Sequence, residues 1–384
     1  MRIVHISPNS PFNDNWGYQE NLLPKYQRKM NNDVTLITTT MSHQNGKIIK
    51  VEENDYNSDD GVRVIRRNYK KYLLPHVTGI FCFIPVYDLL EQIKPDLIFY
   101  HGLVSYTIFD IIKYKKKNPS CTIVQDNHMD YNIGNKVKTI KDIVIRSWLR
   151  FINRRSIKYV DKVYGVTPWR KQYAEDYFRI PSSKTDVLIM GADDDQMNLQ
   201  NREKIRKIIR KKYNIKDKDF LIVTGGKIDK NKKIDLLMEA CKEIKNVKLL
   251  VFGNVVDELK EKIEKLSCCD NIIFIGWIDS KDVYNYFYAA DLVIFPGQHS
   301  VLWEQACASK VPCVFEKWPG MEHVNNGGNS CFIENISVEK LKKSINDLLY
   351  TNEYYKMKKI AESDNTNIYL YSEIAKKSLE NIRK

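Results

Sequence analysis

Glu304 is an acid inside the otherwise apolar stretch VLWEQA. A buried carboxylate is costly unless it accepts hydrogen bonds, so Glu304 requires donors nearby. The hydroxyl groups of a ribose are suitable donors, and a structural bond from a backbone amide is the alternative. Glu304 is therefore a candidate ligand for a sugar hydroxyl.

The residues before Glu304 follow the apolar segment LVIFPG (292–297), at the predicted start of a helix over 301–309. The first amides of a helix have no intrahelical partner and favour anions. The amides beginning at Ser300 are therefore suited to a diphosphate. The candidate ligands in this stretch are Gln298, His299, Ser300 and Val301.

The segment TGGKIDKNKKID (224–235) connects a predicted strand to a helix through two glycines and several lysines. Glycine lets the backbone approach a ligand closely, and lysines around a helix start favour phosphate. Gly226, Lys227 and Lys232 are therefore candidate phosphate ligands. The spacing is not that of a Walker loop, and a solvated lysine-rich loop is the alternative.

Three more loops follow predicted strands and carry candidate ligands. Trp277 and Ile278 offer an aromatic ring and backbone groups to a nucleobase, unless Trp277 only packs. Gly17 stands in a loop that can close on a ligand, unless the loop is a plain connection. His128 lies in IVQDNHMD (123–130), where histidine and carboxylates suit acid–base chemistry, sugar contacts or a metal, unless it is an ordinary loop histidine. Because no other compact set of His or Asp is present, we expect no metal.

Elements that position these loops alternate along the 384 residues as short apolar strands and helices. This alternation predicts parallel sheets covered on both faces, and two such halves predict an α/β fold of two doubly wound, Rossmann-like domains. The junction is predicted near MGADDDQMN (190–198), where a strand ends in glycine and acids. We assign 1–192 to the first domain, 193–364 to the second, and 365–384 to a C-terminal helix packing back on the first.

The net charge is +13, and 11 basic residues against two acidic ones lie within positions 136–171. Apolar residues recur there at helical spacing over 140–152, with arginines on another face. This pattern favours contact with an anionic membrane surface, and with the segment KKYLLPHVTGIFCFIPVY (70–87) it suggests a lipid-linked saccharide acceptor. A core helix with a solvated basic side is the alternative, and nucleic acid is disfavoured because no recognised binding module is present. The candidate acceptor-side or membrane-side residues are Arg146, Arg150, Arg154 and Arg155.

The N-terminal residues, the lengths of the apolar runs and the cysteines indicate the cellular compartment. MRIVHISP at the start is typical of a strand rather than of an export leader, and no apolar run reaches roughly 18 residues. The eight cysteines form no CxxC, which indicates buried thiols in a reducing compartment. We expect a cytoplasmic protein, peripheral on the inner face of the membrane.

Together these motifs resemble the glycosyltransferases of the GT-B fold, family 4 (glycosyltransferase group 1), over nearly the whole chain. GGKIDKNKKIDLLMEA (225–240) is similar to the family pattern G-R-L-x-x-x-K-G-x-x-x-L-x-x-A. FIGWIDSKDVYNYFYAADLVIFP (274–296) is similar to F-x-G-x-x-x-x-x-x-L-x-x-x-Y-x-x-A-D-x-x-x-x-P, and VLIMGADDDQM (187–197) resembles the P-x-G-V-D crossover. The resemblance implies two domains facing across a cleft, with the C-terminal helix crossing back.

The resemblance also implies residue roles. Lys227 and Lys232 neutralise the donor diphosphate, so that no metal or other cofactor is needed. Glu304 binds the ribose, and His128 touches the donor sugar near the reacting carbon. The donor diphosphate is bordered by Gly17 and Gly226, and the base by Trp277 and Ile278.

The chain departs from the family pattern at position 296, where Pro296 replaces the first acid of the E-x7-E motif. We hypothesise that Gln298 or His299 contacts the donor sugar here, with the Ser300 and Val301 amides on the diphosphate. The predicted activity is metal-independent, hexosyltransferase-like, retaining transfer from a nucleotide sugar, with UDP as the favoured nucleotide. The acceptor is a saccharide or a lipid-linked saccharide, in surface polysaccharide or glycolipid synthesis. A nucleotide-sugar epimerase of related fold and a non-catalytic sugar- or nucleotide-binding relative are the alternatives.

Overall fold

The structure, a computed structural model, describes residues 1–44, 47–71, 82–131 and 139–380. The chain divides into two compact units. The first contains Met1–Ile189 and the residues from Ile374 onward, and the second contains Met190–Glu373.

The first unit is built on a sheet that has eight strands within its described residues, in the order β12-β11-β10-β9-β1-β2-β6-β5. All neighbours pair in parallel except β5 and β6, which are antiparallel. The order reverses between β1 and β9. The strands are β1 Arg2–Ser7, β2 Asp33–Thr39, β5 Asn54–Asn57, β6 Arg63–Arg67, β9 Leu97–His101, β10 Thr122–Asn127, β11 Lys162–Gly165 and β12 Thr185–Val187. Two antiparallel pairs lie outside this sheet: β3 Met41–Gln44 with β4 Lys47–Lys50, and β7 Lys70–Lys71 with β8 Cys82–Phe83.

Local sequence explains where the helices of this unit begin. Thr139 and Asp142 form a capping box at the start of Ile140–Ser156, since each side chain accepts a hydrogen bond from the other's backbone amide. Thr167 caps the next helix, which has a proline at its first position. The described helices are Gln19–Lys29, Tyr87–Ile93, Thr107–Lys117, Ile140–Ser156 and Pro168–Phe178.

The second unit contains a parallel sheet of six strands, in the order β15-β14-β13-β16-β17-β18. Its order reverses between β13 and β16. The strands are β13 Phe220–Gly225, β14 Val247–Phe252, β15 Ile272–Phe274, β16 Leu292–Phe295, β17 Cys313–Glu316 and β18 Ser330–Ile333. The helices are Arg202–Lys212, Ile234–Cys241, Lys260–Ser267, Val283–Ala289, Leu302–Ala308, Val338–Leu348 and Asn352–Ala361, and the last described helix of the chain is Tyr371–Glu380.

Each unit has its own apolar core, formed by strands that are buried on both faces. Every residue of β9 and of β13 is buried, as expected for central strands of a parallel sheet with helices on both sides. The predicted fold class, two doubly wound α/β halves, is confirmed. In the described part of the chain, no helix has both the length and the apolarity required to cross a bilayer.

Candidate functional site

Two of the predicted motifs meet at the point where the strand order of the second unit reverses. There β13 and β16 run side by side, with Val223 next to Val293. In open α/β sheets, ligands bind at such a switch point, beyond the carboxyl ends of the strands. The loops that begin with Gly226 and with Pro296 therefore lie at the position where this fold binds ligands.

Glycines allow these loops to touch. A Cβ on Gly297 would lie 2.3 Å from the carbonyl oxygen of Asn231, so no larger residue fits between the two loops. Gly253 has φ +132°, and a Cβ there would lie 1.7 Å from the carbonyl oxygen of Gly226. The Gly253 amide also donates to the Gly276 carbonyl at 2.7 Å. The ends of β13, β14, β15 and β16 are thereby joined at one edge of the sheet.

Lys232 holds the loop after β16 in place. Its Nζ donates to the carbonyls of Gln298 at 2.5 Å and of His299 at 3.1 Å. An ammonium has three N–H donors, so these two contacts leave the third for a ligand. Burial lowers the pKa of Lys232 to about 8, an effect that the Asp229 carboxylate partly opposes.

Glu304 is fully buried and is bound by two histidines. His299 Nε2 and His323 Nε2 each donate to Glu304 Oε1, both at 2.8 Å. Burial by itself would raise the pKa of Glu304, but the two histidines outweigh it and lower the pKa to about 2. The carboxylate is therefore ionised at neutral pH.

The second oxygen of the Glu304 carboxylate differs from the first in its hydrogen bonding. Glu304 Oε2 is buried and accepts no hydrogen bond from the described residues, and His323 Nδ1 is likewise buried without a partner among them. A buried ionised oxygen without a donor is costly, which makes Glu304 Oε2 the polar atom that a ligand would satisfy.

His299, Glu304 and His323 are also the set that could hold a metal ion among the described residues. Each offers one ligand atom, and these atoms lie within 4.8 Å of one another. Two imidazoles and one carboxylate are ligands that zinc and similar divalent metals accept. Sequence reasoning missed His323, which lies 19 residues after Glu304 in the 3-10 turn Glu322–Val324 that follows β17.

The other predicted donor ligands of the second unit surround this edge. The helix that carries Glu304 begins at Leu302, seven residues long, and not at 301 as predicted. Lys227 is exposed and pairs with Asp229 at 3.5 Å, and 63% of Trp277 is exposed to solvent. The half-buried positions are Gln298, Ser300, Val301 and Ile278.

Comparison with known proteins agrees with this geometry. Residues 205–364 match the profile of the family described as Glycosyl transferases group 1. The matched residues lie within the second unit, and they include Gly226, Lys232 and Glu304.

The whole chain shares its fold with solved glycosyltransferases of the GT-B type. It is similar to the glycosyltransferase from Rickettsia africae ESF-5, with TM-score 0.70 and 16% identity over 100% of this chain and 97% of that one. It is equally similar to Anabaena Alr3699/HepE in complex with UDP, with TM-score 0.70 and 15% identity over 100% and 99%.

A relative found by sequence aligns with a smaller part of this chain than the solved structures do. The "Uncharacterized 41.2 kDa protein in cps region" of Klebsiella pneumoniae is 29% identical over 229 residues, which is 58% of this chain and 58% of that protein. The chain thus matches little more than half of that relative's length.

Outside the residues that match the family profile, the first unit carries a second buried carboxylate with two histidines. Asp126 Oδ2 accepts from His101 Nδ1 at 2.6 Å and lies 3.5 Å from His128 Nε2. Asp126 Oδ1 accepts from the Gly102 amide at 2.9 Å, so both oxygens have donors. Burial would raise the pKa of Asp126, but the two histidines lower it well below its usual range.

This cluster continues into the interior. His5 Nδ1 lies 3.0 Å from His101 Nε2, His5 Nε2 lies 2.7 Å from Gln27 Oε1, and Gln27 Nε2 donates to Ser378 Oγ at 2.9 Å. Burial, and next the neighbouring His101, lower the pKa of His5 to about 3, so His5 is neutral. Because His5 then donates to Gln27 from Nε2, its Nδ1 is the acceptor in the contact with His101 Nε2.

His128 and Gly17 are the predicted donor ligands of the first unit. Burial opposes protonation of His128, but Asp126 outweighs it and raises the pKa of the imidazole. Gly17 is exposed in the loop before Gln19–Lys29, and a Cβ there would meet nothing within 4 Å. The local packing therefore does not explain why position 17 is glycine.

The four predicted arginines lie on the helix Ile140–Ser156 and differ in their contacts. Arg150 Nε donates to the Tyr177 carbonyl at 2.9 Å, and the guanidinium carbon lies 4.3 Å from the Tyr177 ring centre. Arg146 lies 5.7 Å from the same ring, and Arg155 lies 4.9 Å from the Phe151 ring centre. Arg150, Arg154 and Arg155 are all exposed, but only Arg146 and Arg150 among the four lie over Tyr177. Much of the segment 70–87, which was linked to the acceptor, lies outside the described residues.

Proposed function

We propose that the protein transfers a sugar from a nucleotide-sugar donor to a saccharide or lipid-linked saccharide acceptor. The observation that carries this proposal is the unpaired, buried Glu304 Oε2 at the switch point of the second unit. A ribose hydroxyl is a donor of the size and polarity that this oxygen requires, and Lys232 offers a cation to a diphosphate beside it.

UDP is the nucleotide that we favour. The support is the fold likeness to the Anabaena protein, whose structure contains UDP. Trp277, whose ring is largely exposed, supplies a surface for the base together with Ile278. Gly226 and Lys232, with the Ser300 and Val301 amides, bind the diphosphate, while Lys227 supplies a second positive charge.

The chemistry that we propose is hexosyl transfer with retention of configuration and without a metal. The donor diphosphate leaves as the bond to the anomeric carbon breaks, and Lys232 stabilises the charge that develops on it. The acceptor hydroxyl attacks from the same face and passes its proton to the departing phosphate. Gln298 or His299 contacts the donor sugar where the chain departs from the family pattern, and the resemblance to family 4 assigns His128 of the first unit to the same sugar.

A thermal-shift screen across UDP-, GDP- and ADP-sugars tests the donor, because a ligand that binds only the native state raises Tm. We expect UDP-sugars to give the largest rise, and Glu304→Ala and Lys232→Ala to abolish it. Product analysis by NMR then tests the chemistry with an added acceptor. Sugar conversion without an acceptor would indicate an epimerase, binding without turnover a non-catalytic relative, and an inverted anomer would refute retention.

We also propose that the helix Ile140–Ser156 places the enzyme on an anionic membrane surface, on the cytoplasmic side where a lipid-linked acceptor is held. Its apolar side chains recur every three or four residues, yet several are exposed: 81% of Ile140 and 62% of Val144. An exposed apolar stripe of this kind on a basic helix suits the boundary between headgroups and acyl chains. The exposed apolar residues of the stripe are Ile140, Ile143, Val144, Trp148 and Phe151.

The contacts of the arginines refine this proposal. Since Arg146 and Arg150 lie over Tyr177, we assign them to holding the helix on the first unit. The exposed Arg154 and Arg155 are then the cations that meet anionic headgroups. The apolar stripe is expected to contribute more to binding than either arginine, since each buried apolar side chain adds about 1.5–3 kcal/mol and each arginine about 1 kcal/mol.

Co-sedimentation with phosphatidylglycerol-containing vesicles tests the docking helix. We expect the double variant Ile143→Glu/Val144→Glu to lose binding, and Arg154→Glu/Arg155→Glu to weaken it by about tenfold or more. Ile208→Glu is the matched control, because Ile208 is 55% exposed on a basic helix of the second unit. Equal co-sedimentation of all variants would refute the membrane proposal and leave the transferase proposal untouched.

A further inference from the structure

The fold brings three side chains that can ligate a metal together in the second unit. His299, Glu304 and His323 each offer one ligand atom, and these atoms lie within 4.8 Å of one another. The three side chains are exposed by only 5%, 0% and 8%. Two imidazoles and one carboxylate are a ligand set with which proteins bind zinc. The histidines converge on Glu304 from different loops, so no motif in the sequence accounts for them.

We infer that His299, Glu304 and His323 bind one divalent transition-metal ion of the zinc class, and that this ion excludes the donor by occupying Glu304. The exclusion rests on the proposed nucleotide-sugar donor, whereas the metal site does not. The ion takes no part in the proposed transfer chemistry. It holds the same carboxylate that the nucleotide needs, so the protein binds either the metal or the nucleotide.

The distances in the structure are close to those of a metal centre. Bonds of about 2.0–2.1 Å to nitrogen and about 2.0–2.2 Å to oxygen place neighbouring ligand atoms of a tetrahedron about 3.3 Å apart. Each Nε2 lies 2.8 Å from Glu304 Oε1, so the ligands need to separate by only about half an ångström. Glu304 Oε2 has no donor among the described residues and is available as a further oxygen ligand.

The carboxylate cluster of the first unit has the same residue types but uses them differently. His101 Nδ1 bonds Asp126 Oδ2 at 2.6 Å, and His101 Nε2 lies 3.0 Å from His5 Nδ1. Asp126 Oδ1 accepts from the Gly102 amide. Both nitrogens of His101 and both oxygens of Asp126 are therefore committed to hydrogen bonds, whereas the second unit turns two imidazole nitrogens toward one carboxylate.

Two features limit the affinity for the metal. A ligating histidine usually donates its other N–H to an acceptor, and such a partner is worth about tenfold to hundredfold in affinity. His323 Nδ1 is buried without a partner among the described residues. The Lys232 ammonium, which donates to the His299 carbonyl at 3.1 Å, repels a second cation. We therefore expect reversible binding, with a Kd of about a micromolar, rather than the tight retention of a structural zinc.

Calorimetric titration with Zn²⁺ alone tests the site. We expect the wild type to bind one ion per chain and His323→Gln to bind it at least about a hundredfold more weakly, since losing a ligand costs more than losing an outer-shell partner. Glutamine still donates to Glu304 Oε1, so Tm should change little. His128→Gln, beside the other buried carboxylate, is the matched control and should bind Zn²⁺ like the wild type. Equal binding by the wild type and His323→Gln, or a loss in His128→Gln, would overturn the site.

Co²⁺ gives a spectroscopic readout of the same ligands. The wild type should show the visible absorption of a four-coordinate ion, and X-ray absorption should show imidazole nitrogen bound to it. His299→Gln removes the other nitrogen and should lose this absorption. A six-coordinate ion without imidazole ligands would overturn the site.

Titration with UDP in the presence of Zn²⁺ tests the exclusion. Zn²⁺ at about ten times its Kd should weaken UDP binding to the wild type by about tenfold, as for two ligands that compete for one site. Because UDP also binds Zn²⁺ in solution, the change in His323→Gln under the same conditions is the reference. An equal change in both proteins would overturn the exclusion.

The outcomes distinguish the inference from the proposed function. A protein that binds Zn²⁺ through His299 and His323 but binds none of UDP, GDP and ADP would refute the proposed function and retain the metal site. A protein that binds UDP but loses no Zn²⁺ binding in His323→Gln would refute the inference and retain the proposed function.

Discussion

The two units differ in how the oxygens of a buried carboxylate are hydrogen-bonded. Each buries an ionised carboxylate between two histidines at the carboxyl edge of its sheet, Asp126 in the first unit and Glu304 in the second. Both oxygens of Asp126 accept hydrogen bonds, whereas Glu304 keeps one oxygen without a donor among the described residues.

Whether both oxygens of a buried carboxylate accept hydrogen bonds indicates whether the carboxylate is structural or binds a ligand. A carboxylate whose two oxygens both accept hydrogen bonds is complete without a ligand, so Asp126 is suited to holding its strands in place through His101 and the Gly102 amide. A carboxylate with an unsatisfied oxygen costs stability until a donor arrives.

Removing the carboxylate of the closed cluster should destabilise the protein most. Asp126→Ala leaves the buried His101 and the half-buried Gly102 amide without an acceptor, so we expect a loss of about 3–5 kcal/mol in the free energy of unfolding, measured by urea denaturation. Asp55→Ala removes an exposed ion pair with Arg63 and should cost less than about 1 kcal/mol. If both variants lost a similar amount of unfolding free energy, Asp126 would not have the structural role that we assign to it.

The open cluster should respond in ligand affinity instead. Glu304→Gln keeps an oxygen for the two histidines but presents an amide in place of Oε2, which cannot accept from a hydroxyl. We expect about a hundredfold weaker UDP binding by calorimetry, in line with a lost hydrogen bond to a charged group. Tm should change little. Retained affinity with a large fall in Tm would mean that Glu304 is as structural as Asp126.

Lys232 should distinguish the diphosphate from the nucleoside. Lys232→Met keeps much of the apolar stem but removes the ammonium, and we expect about thirtyfold weaker UDP binding through the lost charge-assisted contact. Uridine, which lacks phosphate, serves as the control ligand and should bind both proteins alike. An equal loss for uridine would show that Lys232 acts only by holding the loop at Gln298 and His299.

The smallest effect is a pH dependence with a defined sign. Burial lowers the pKa of Lys232 to about 8, so its ammonium is present below pH 8 and is lost as the pH rises through that value. UDP affinity should therefore be constant from pH 6.5 to 7.5 and fall by up to about tenfold per pH unit above 8. Calorimetry at pH 7 and pH 9 measures it. A matching fall in Lys232→Met would assign the titration to another group.

The sequence predicted the architecture well because a chain of short apolar strands that alternate with helices can bury those strands in few folds other than a parallel sheet covered on both faces. It also indicated that Gly226, Lys232 and Glu304 follow neighbouring strands, and the structure brings the loops after those strands to one edge of the sheet. It did not indicate the strands β3 and β5, MSHQ and NDYN, because they are polar and lack the alternation typical of a half-buried strand.

The histidines were harder to assign for a different reason. His5 and His323 belong to no local motif, and only the fold brings them to His101 and Glu304. Spacing also could not distinguish Arg150, which bonds the Tyr177 carbonyl and lies over the Tyr177 ring, from Arg154, which is one turn further along the same helix.

We propose that Glu304, which keeps an oxygen without a donor among the described residues, binds the nucleotide and that Asp126 does not. A crystal structure of the protein with UDP would show which carboxylate the ribose contacts. We predict one ribose hydroxyl within hydrogen-bond distance of Glu304 Oε2, with His299 and His323 still on Oε1 and the His101–Asp126 bond unchanged. UDP bound at the Asp126 edge, or in the second unit away from Glu304, would contradict it.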